Sequence, residues 1–189
     1  MLSFLPDPDT QAFRDRLTDL IFEAKGDVRP YLLIDAAADP SIHIHLDAFP
    51  EAARCLFDGE TGEQLSDVGP WLAKPERHGD LWEWFLDECW GRNSAVIVRT
   101  SLPMARLKQH LKKFLRVQRD DGHVMFFKFY RPAHLRSYMP AFDDDQRIAF
   151  MKGIDAWFAE TEEGAERLVL DAEGHLRGDV QNFVKPASN

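Results

Sequence analysis

Apolar residues recur along this chain with helical spacing in some stretches and in unbroken runs in others. Phe13, Leu17, Leu20, Ile21 and Ala24 follow a capping Asp9 or Thr10 at helical intervals, and Gly26 closes that helix. Tyr31 to Asp35 is a short apolar run after a proline and predicts a buried strand. Asp39-Pro40 starts a helix, with the proline in its first turn. Ala53 to Phe57 predicts a second short strand. Asp58-Gly59 begins a turn, and Gly69-Pro70 begins a segment carrying Trp71 and Leu72. Residues 80–90 predict a helix in which Leu81, Phe85 and Cys89 form one row and Trp82, Leu86 and Trp90 the next. So wide an apolar arc implies heavy burial. Trp84 lies outside the arc, between Asp87 and Glu88, and is expected to be exposed.

The densest stretch is residues 94–140. Ala95-Val-Ile-Val is continuous and mostly β-branched, and predicts a strand from Ser94 to Thr100. Ser101 and Pro103 open a helix with Met104, Leu107, Leu111, Phe114 and Leu115 inward and Arg106, Lys108, His110, Lys112 and Lys113 outward. Asp120-Asp121-Gly122 predicts a hairpin between 116–119 and 123–130. There Met125, Phe127 and Phe129 alternate with Phe126, Lys128 and Tyr130, so a central strand covered on both faces is expected. Arg131-Pro132 ends that strand and starts a short helix. Asp143 to Asp145 cap another helix with Ile148 and Met151 on one face. Ile154 to Phe158 reads as strand. Arg167 to Asp171 and His175 to Asp179 form a weaker hairpin around Glu173-Gly174, before a loose tail from Asn182.

Helices and strands interleave from end to end, so the expected class is α/β, with mixed α+β as the variant: a mixed sheet with flanking helices. One domain, 1–189, accommodates this. The stretch 73–80 is the candidate boundary between an N-terminal lobe, 1–75, and a C-terminal lobe, 80–165, with 166–189 left as hairpin or tail.

Composition narrows the class. Hydrophobic residues are 44% and charged residues 29% of the chain, as in an ordinary globular protein, while 14 Phe and 5 Trp enrich the rings that dominate cores and interfaces. Net charge is −9, which disfavours nucleic acid and anionic membrane as partners. The charge is uneven. Arg106, Lys108, Lys112, Lys113, Arg116, Arg119, Lys128, Arg131 and Arg136 face only Asp120 and Asp121 within 101–136, whereas 141–166 is strongly acidic. Either these are two solvated faces that offset each other, or the first is a patch for an acidic protein partner. Cys55 and Cys89 form no disulfide framework, and no apolar run approaches the roughly 18 residues of a membrane span. The N-terminus, MLSFLPDPD, lacks a basic start and an apolar run, so it does not read as a signal peptide. A reducing cytoplasm is the expected location.

Catalytic signatures are missing: there is no GxxxxGKS/T, GxGxxG after a strand, GxSxG or HExxH. His43 and His45 with Asp47 would share a face if that segment were a strand, but a third ligand is not evident, so no metal is expected. Cys89 beside Glu88 on an apolar face should have a raised rather than a lowered pKa. Asp35 ends a buried strand, where it either caps the next turn or acts as a catalytic carboxylate with a histidine.

Several blocks in order resemble a known family. They are Tyr31-Leu-Leu-Ile-Asp35-Ala-Ala, Arg54-Cys-Leu-Phe-Asp-Gly59, Gly69-Pro70-Trp71-Leu72, Gly91 to Ser101, and Leu107 to Tyr130. Over roughly residues 30–160 the chain is similar to the family first catalogued as domain of unknown function 4123, understood as type VI secretion adaptor chaperones. One departure is clear: the family usually shows Tyr-Asp-Pro where this chain has Tyr130-Arg131-Pro132.

The resemblance implies a non-enzymatic bacterial protein without cofactors. It would hold a secreted effector protein in the cytoplasm and help load it onto the secretion spike protein, and it would be a monomer when free. The alternatives are an immunity protein for a toxin, or a small cytoplasmic enzyme using Asp35 and a histidine. On the adaptor reading, the candidate partner-binding residues are Trp71, Trp84, Arg106, Lys108, Lys112, Lys113 and Arg131.

Overall fold

In the computed structural model, which describes residues 8–23, 26–118 and 122–182, one antiparallel sheet runs through almost the whole chain. The strands are β1 (Arg29–Asp35), β2 (Ala53–Cys55), β3 (Pro70–Ala73), β4 (Ala95–Thr100), β5 (Arg116–Gln118), β6 (Val124–Phe126), β7 (Ile154–Glu160), β8 (Gly164–Leu170) and β9 (Leu176–Asn182). The helices are α1 (Pro8–Phe22), α2 (Pro40–Asp47), α3 (Gly59–Leu65), α4 (Asp80–Glu88), α5 (Met104–Lys112), α6 (Pro132–Tyr138) and α7 (Asp144–Met151). The seven-stranded sheet has the order β2-β3-β1-β4-β7-β8-β9, while β5 and β6 pair only with each other. The architecture is therefore mixed α+β, and the sheet expected to be mixed is antiparallel at every pairing. The stretch 73–80 does not divide the sheet, because β1 pairs with β4 across it, Leu33 opposite Val96.

Burial explains why the central strands read as continuous apolar runs. Leu32, Ile34, Ala95, Ile97, Ala156 and Phe158 face a core closed by α1, α2 and α4. Tyr31, Leu33, Val96, Val98 and Trp157 face a second core closed by α5, α6 and α7. With helices on both sides, both pleat faces of β1 and β4 must be apolar. Within the first core the Trp82 indole N–H donates to Thr18 Oγ1 at 2.9 Å, and the Thr18 hydroxyl donates onward to the carbonyl of Arg14. In the second, Phe150 stacks on Trp157 with centroids 5.2 Å apart, and Phe129 meets both rings edge-on.

Several local expectations are corrected. The segment 123–130 is not a central strand. Pairing stops at Phe126, the two-stranded ribbon lies outside the main sheet, and Phe127, Phe129 and Tyr130 enter the second core from irregular backbone. Asp120 and Asp121 of the expected turn lie outside the described residues, as do Ala24 of the first helix, Met1 to Asp7, and the tail beyond Asn182. Asp58-Gly59 opens α3 rather than a simple turn. In α7, a capping box built by Asp143 and Gln146 sets the start, but Phe150 and Met151 are the inward residues while Ile148 is 52% exposed. His110 does not point out. It is half-buried, and its Nε2 lies 2.9 Å from the Phe150 carbonyl, which ties α5 to α7. No helix among the described residues is long and apolar enough to cross a membrane.

Candidate partner-binding surface

The buried end of β1 gathers a charge cluster. Asp35 is fully buried. One carboxylate oxygen accepts from the Ala37 N–H at 3.2 Å, which starts the 3-10 turn Ala36–Ala38. The other accepts from Arg131 Nε and lies 3.4 Å from Lys128 Nζ. Asp35 therefore both caps the turn, as one sequence reading held, and anchors a buried ion pair, which neither did. Among the described residues no histidine takes part. Arg131 sits at the N-cap of α6 without making a side-chain capping bond. An aspartate there would cap the helix. In this chain the guanidinium instead crosses to Asp35 and pins the 127–131 segment to the sheet. Beside it, burial first and then the Asp35 charge push the Tyr130 phenol upward.

The other predicted contact residues divide sharply. Trp71 is 5% exposed, and its indole N–H donates to the Ser66 carbonyl at 2.7 Å, so it is core rather than contact surface. Trp84, expected to be exposed, is half-buried and stacks on His45 with ring centroids 4.2 Å apart and planes at 11°. Burial lowers the His45 pKa, favouring the neutral ring in that stack. Lys108 and Lys112, one helical turn apart, both clamp the Asp58 carboxylate, and those hydrogen bonds lower its pKa. Arg106 and Lys113 lie on the solvent ridge of α5, exposed and with no ion pair among the described residues.

The histidine cluster separates for a simple reason: its segment is a helix, α2, not a strand. Residues two apart on a helix face different ways. His43 turns to Asp47 at 3.9 Å, while His45 turns to Trp84. Among the described residues no group of three or more His, Cys, Asp and Glu side chains converges on a point. Burial pushes the Cys89 thiol up to about 12, and Cys55 upward as well.

A cavity of about 520 Å³ lies between the end of α1 and strands β4, β7, β8 and β9, lined by Leu20, Glu23, Val28, Arg99, Asp155, Arg167 and Gln181. Arg99 is committed to structure. It donates to Asp155 through Nε and Nη2, and to the carbonyls of Leu20 and Glu23 through Nη1. It thus caps the C-terminal carbonyls of α1.

The ribbon exposes apolar side chains to solvent. Val117 is 44%, Met125 46% and Phe126 51% exposed. Register puts Val117 opposite Met125 on one face and Arg116 opposite Phe126 on the other. The Arg116 guanidinium lies 5.6 Å from the Phe126 ring centroid. Sequence reading placed Met125 and Phe126 in a covered strand because they alternate with Phe127 and Phe129, gave Val117 no role, and counted Arg116 only among the basic residues of 101–136. The available signal was the shortness of the paired segments around an Asp-Gly turn: an isolated ribbon cannot bury both of its faces.

No curated protein and no solved structure matches the chain. A family model does, over residues 30–149, from β1 to the middle of α7, so the ion-paired end of β1, the basic helix and the ribbon all fall inside the matched span. The chain belongs to the family described as Domain of unknown function (DUF4123).

Proposed function

We propose that this protein is an adaptor that binds a type VI secretion effector and helps to load it onto the secretion spike protein. The observation that carries this reading is the ribbon. Val117 and Met125 are about half exposed opposite each other on one face, and Phe126 is about half exposed on the other face, of an element outside the main sheet. Clustered exposed apolar side chains beside unpaired cations are the mark of a protein interface. Three of the titratable side chains that chemistry could use are engaged or unreactive. Asp35 is held by Arg131 and Lys128, Asp58 by two lysines, and Cys89 has an elevated pKa. The sequence resemblance to adaptor chaperones points the same way, and the work of such a protein takes place in the bacterial cytoplasm before export.

The test is a pull-down of this protein from its native host, with the captured proteins identified by mass spectrometry and a type VI effector and a spike protein looked for among them. Capture of both supports the adaptor reading. Capture of neither overturns it, and capture of a toxin with loss of its activity points to an immunity protein.

A further inference from the structure

Next to the ribbon, α3, the C-terminal end of α5 and β5 enclose a groove of about 260 Å³ lined by Phe57, Asp58, Thr61, Lys112, Leu115 and Arg116. Phe57 and Leu115 are its apolar part, and Phe126 meets the Phe57 ring edge-on with centroids 6.0 Å apart. The space suits one large apolar side chain.

Charge then selects the occupant. Asp58 is the groove's own carboxylate, and Lys108 and Lys112 together exceed its charge by one. Glu60 on α3 is turned to Gln64 at 3.3 Å. Among the described residues Arg116 at the rim is held by no carboxylate, and neither is Lys113 on the adjoining ridge. The groove is therefore positive, on a chain whose net charge is −9. An acidic partner is repelled by most of this surface and drawn to this face, which gives orientation as well as attraction.

We infer that the groove seats an acidic segment of a partner protein, with one aromatic or large aliphatic side chain between Phe57, Leu115 and Phe126 and flanking carboxylates against Arg116 and Lys113. This rests on the adaptor reading and names the chemistry of the segment an adaptor would recognise.

The experiment is fluorescence anisotropy with short fluorescein-labelled peptides: one rich in Glu with a single central Phe, one with Ala for that Phe, one with Lys for every Glu, and a single-stranded oligonucleotide of similar length. The acidic Phe peptide is expected to bind, weakening as salt rises. Arg116→Glu and Phe126→Ala should each weaken binding about tenfold or more, while Arg177→Glu on the distant strand β9 leaves it unchanged. Arg116 and Phe126 are exposed, so these variants should keep the wild-type melting curve, which is measured alongside. No binding, equal binding of the Lys peptide, tighter binding of the oligonucleotide, or indifference to both variants overturns the inference. Co-purification of the neighbouring effector undiminished by Arg116→Glu and Phe126→Ala would sink the groove alone. Absence of any capture by the wild type would sink the adaptor reading itself.

Discussion

Replacing Arg131 with alanine tests the anchor between the sheet and the segment leading into α6. Asp35 is fully buried, so its charge depends on its partners: the Arg131 guanidinium, the Lys128 ammonium at 3.4 Å and the Ala37 N–H at 3.2 Å. Stranding a buried carboxylate by removing its only ionic partner costs about 3–5 kcal/mol. Here Lys128 remains, and the Arg131 side chain is itself 28% exposed, which weakens the pair. The expected loss for Arg131→Ala is therefore about 2–3 kcal/mol, rising to about 3–5 kcal/mol when Lys128→Ala is added. For a chain of this size that is a drop in melting temperature of about 5–10 °C for the single variant. Asp35→Asn in the Arg131→Ala background removes the stranded charge. The double-mutant cycle should therefore show a coupling of about 1–3 kcal/mol, measured by urea unfolding. Arg131→Ala within about 0.5 kcal/mol of wild type, or simple additivity with Asp35→Asn, would refute the reasoning.

Three further outcomes follow from the two cores. Thr18→Val leaves the Trp82 indole N–H buried without its acceptor and should cost about 1–3 kcal/mol in urea unfolding; an unchanged midpoint contradicts the role assigned to that bond. With the Cys89 thiol held up to about 12, the native protein should be labelled there by a thiol reagent at neutral pH only as fast as it opens, and rapid native labelling seen by mass spectrometry would contradict its burial. That thiol's contribution to stability is full below the unfolded pKa, roughly 8.5, and is lost as pH climbs toward its folded value. His45 and His110 are shifted the other way, their pKa values lowered by burial. The unfolded chain protonates first, near pH 6.5, so their contribution is full above that and falls as pH drops through the folded values. His45→Phe keeps a ring against Trp84 and should flatten the fall in urea midpoint between pH 7.5 and 5, whereas an unchanged slope would argue against His45.

The main sheet could be read from the sequence where two covers meet it. Tyr31 to Asp35 and Ala95 to Thr100 are apolar at consecutive positions because each pleat face meets a separate core, and both strands lie where the pattern put them. The same logic misread Met125 to Tyr130. There the apolar run is divided between an exposed ribbon and an irregular segment plunging into the second core, and periodicity carries no mark of where pairing stops. Antiparallel order and the passage of the sheet across residues 73–80 depend on contacts distant in sequence. Of the candidate surface, Arg106 and Lys113 could be read from helical spacing. The capture of Lys108 and Lys112 by Asp58, fifty or so positions away, could not. Trp71 and Trp84 looked like anchors by residue type, but one donates into a buried bond and the other stacks on His45. Arg131 was visible as a departure from the family, and only its distance to Asp35 explains it.

The adaptor reading is tested most directly in the producing bacterium, by deleting the gene and measuring how much of the neighbouring effector reaches the medium. The account predicts that effector export is lost without self-intoxication. Wild-type protein should restore it, and Arg116→Glu with Phe126→Ala should not. Unchanged effector export, or a deletion strain poisoned by its own toxin, would contradict it.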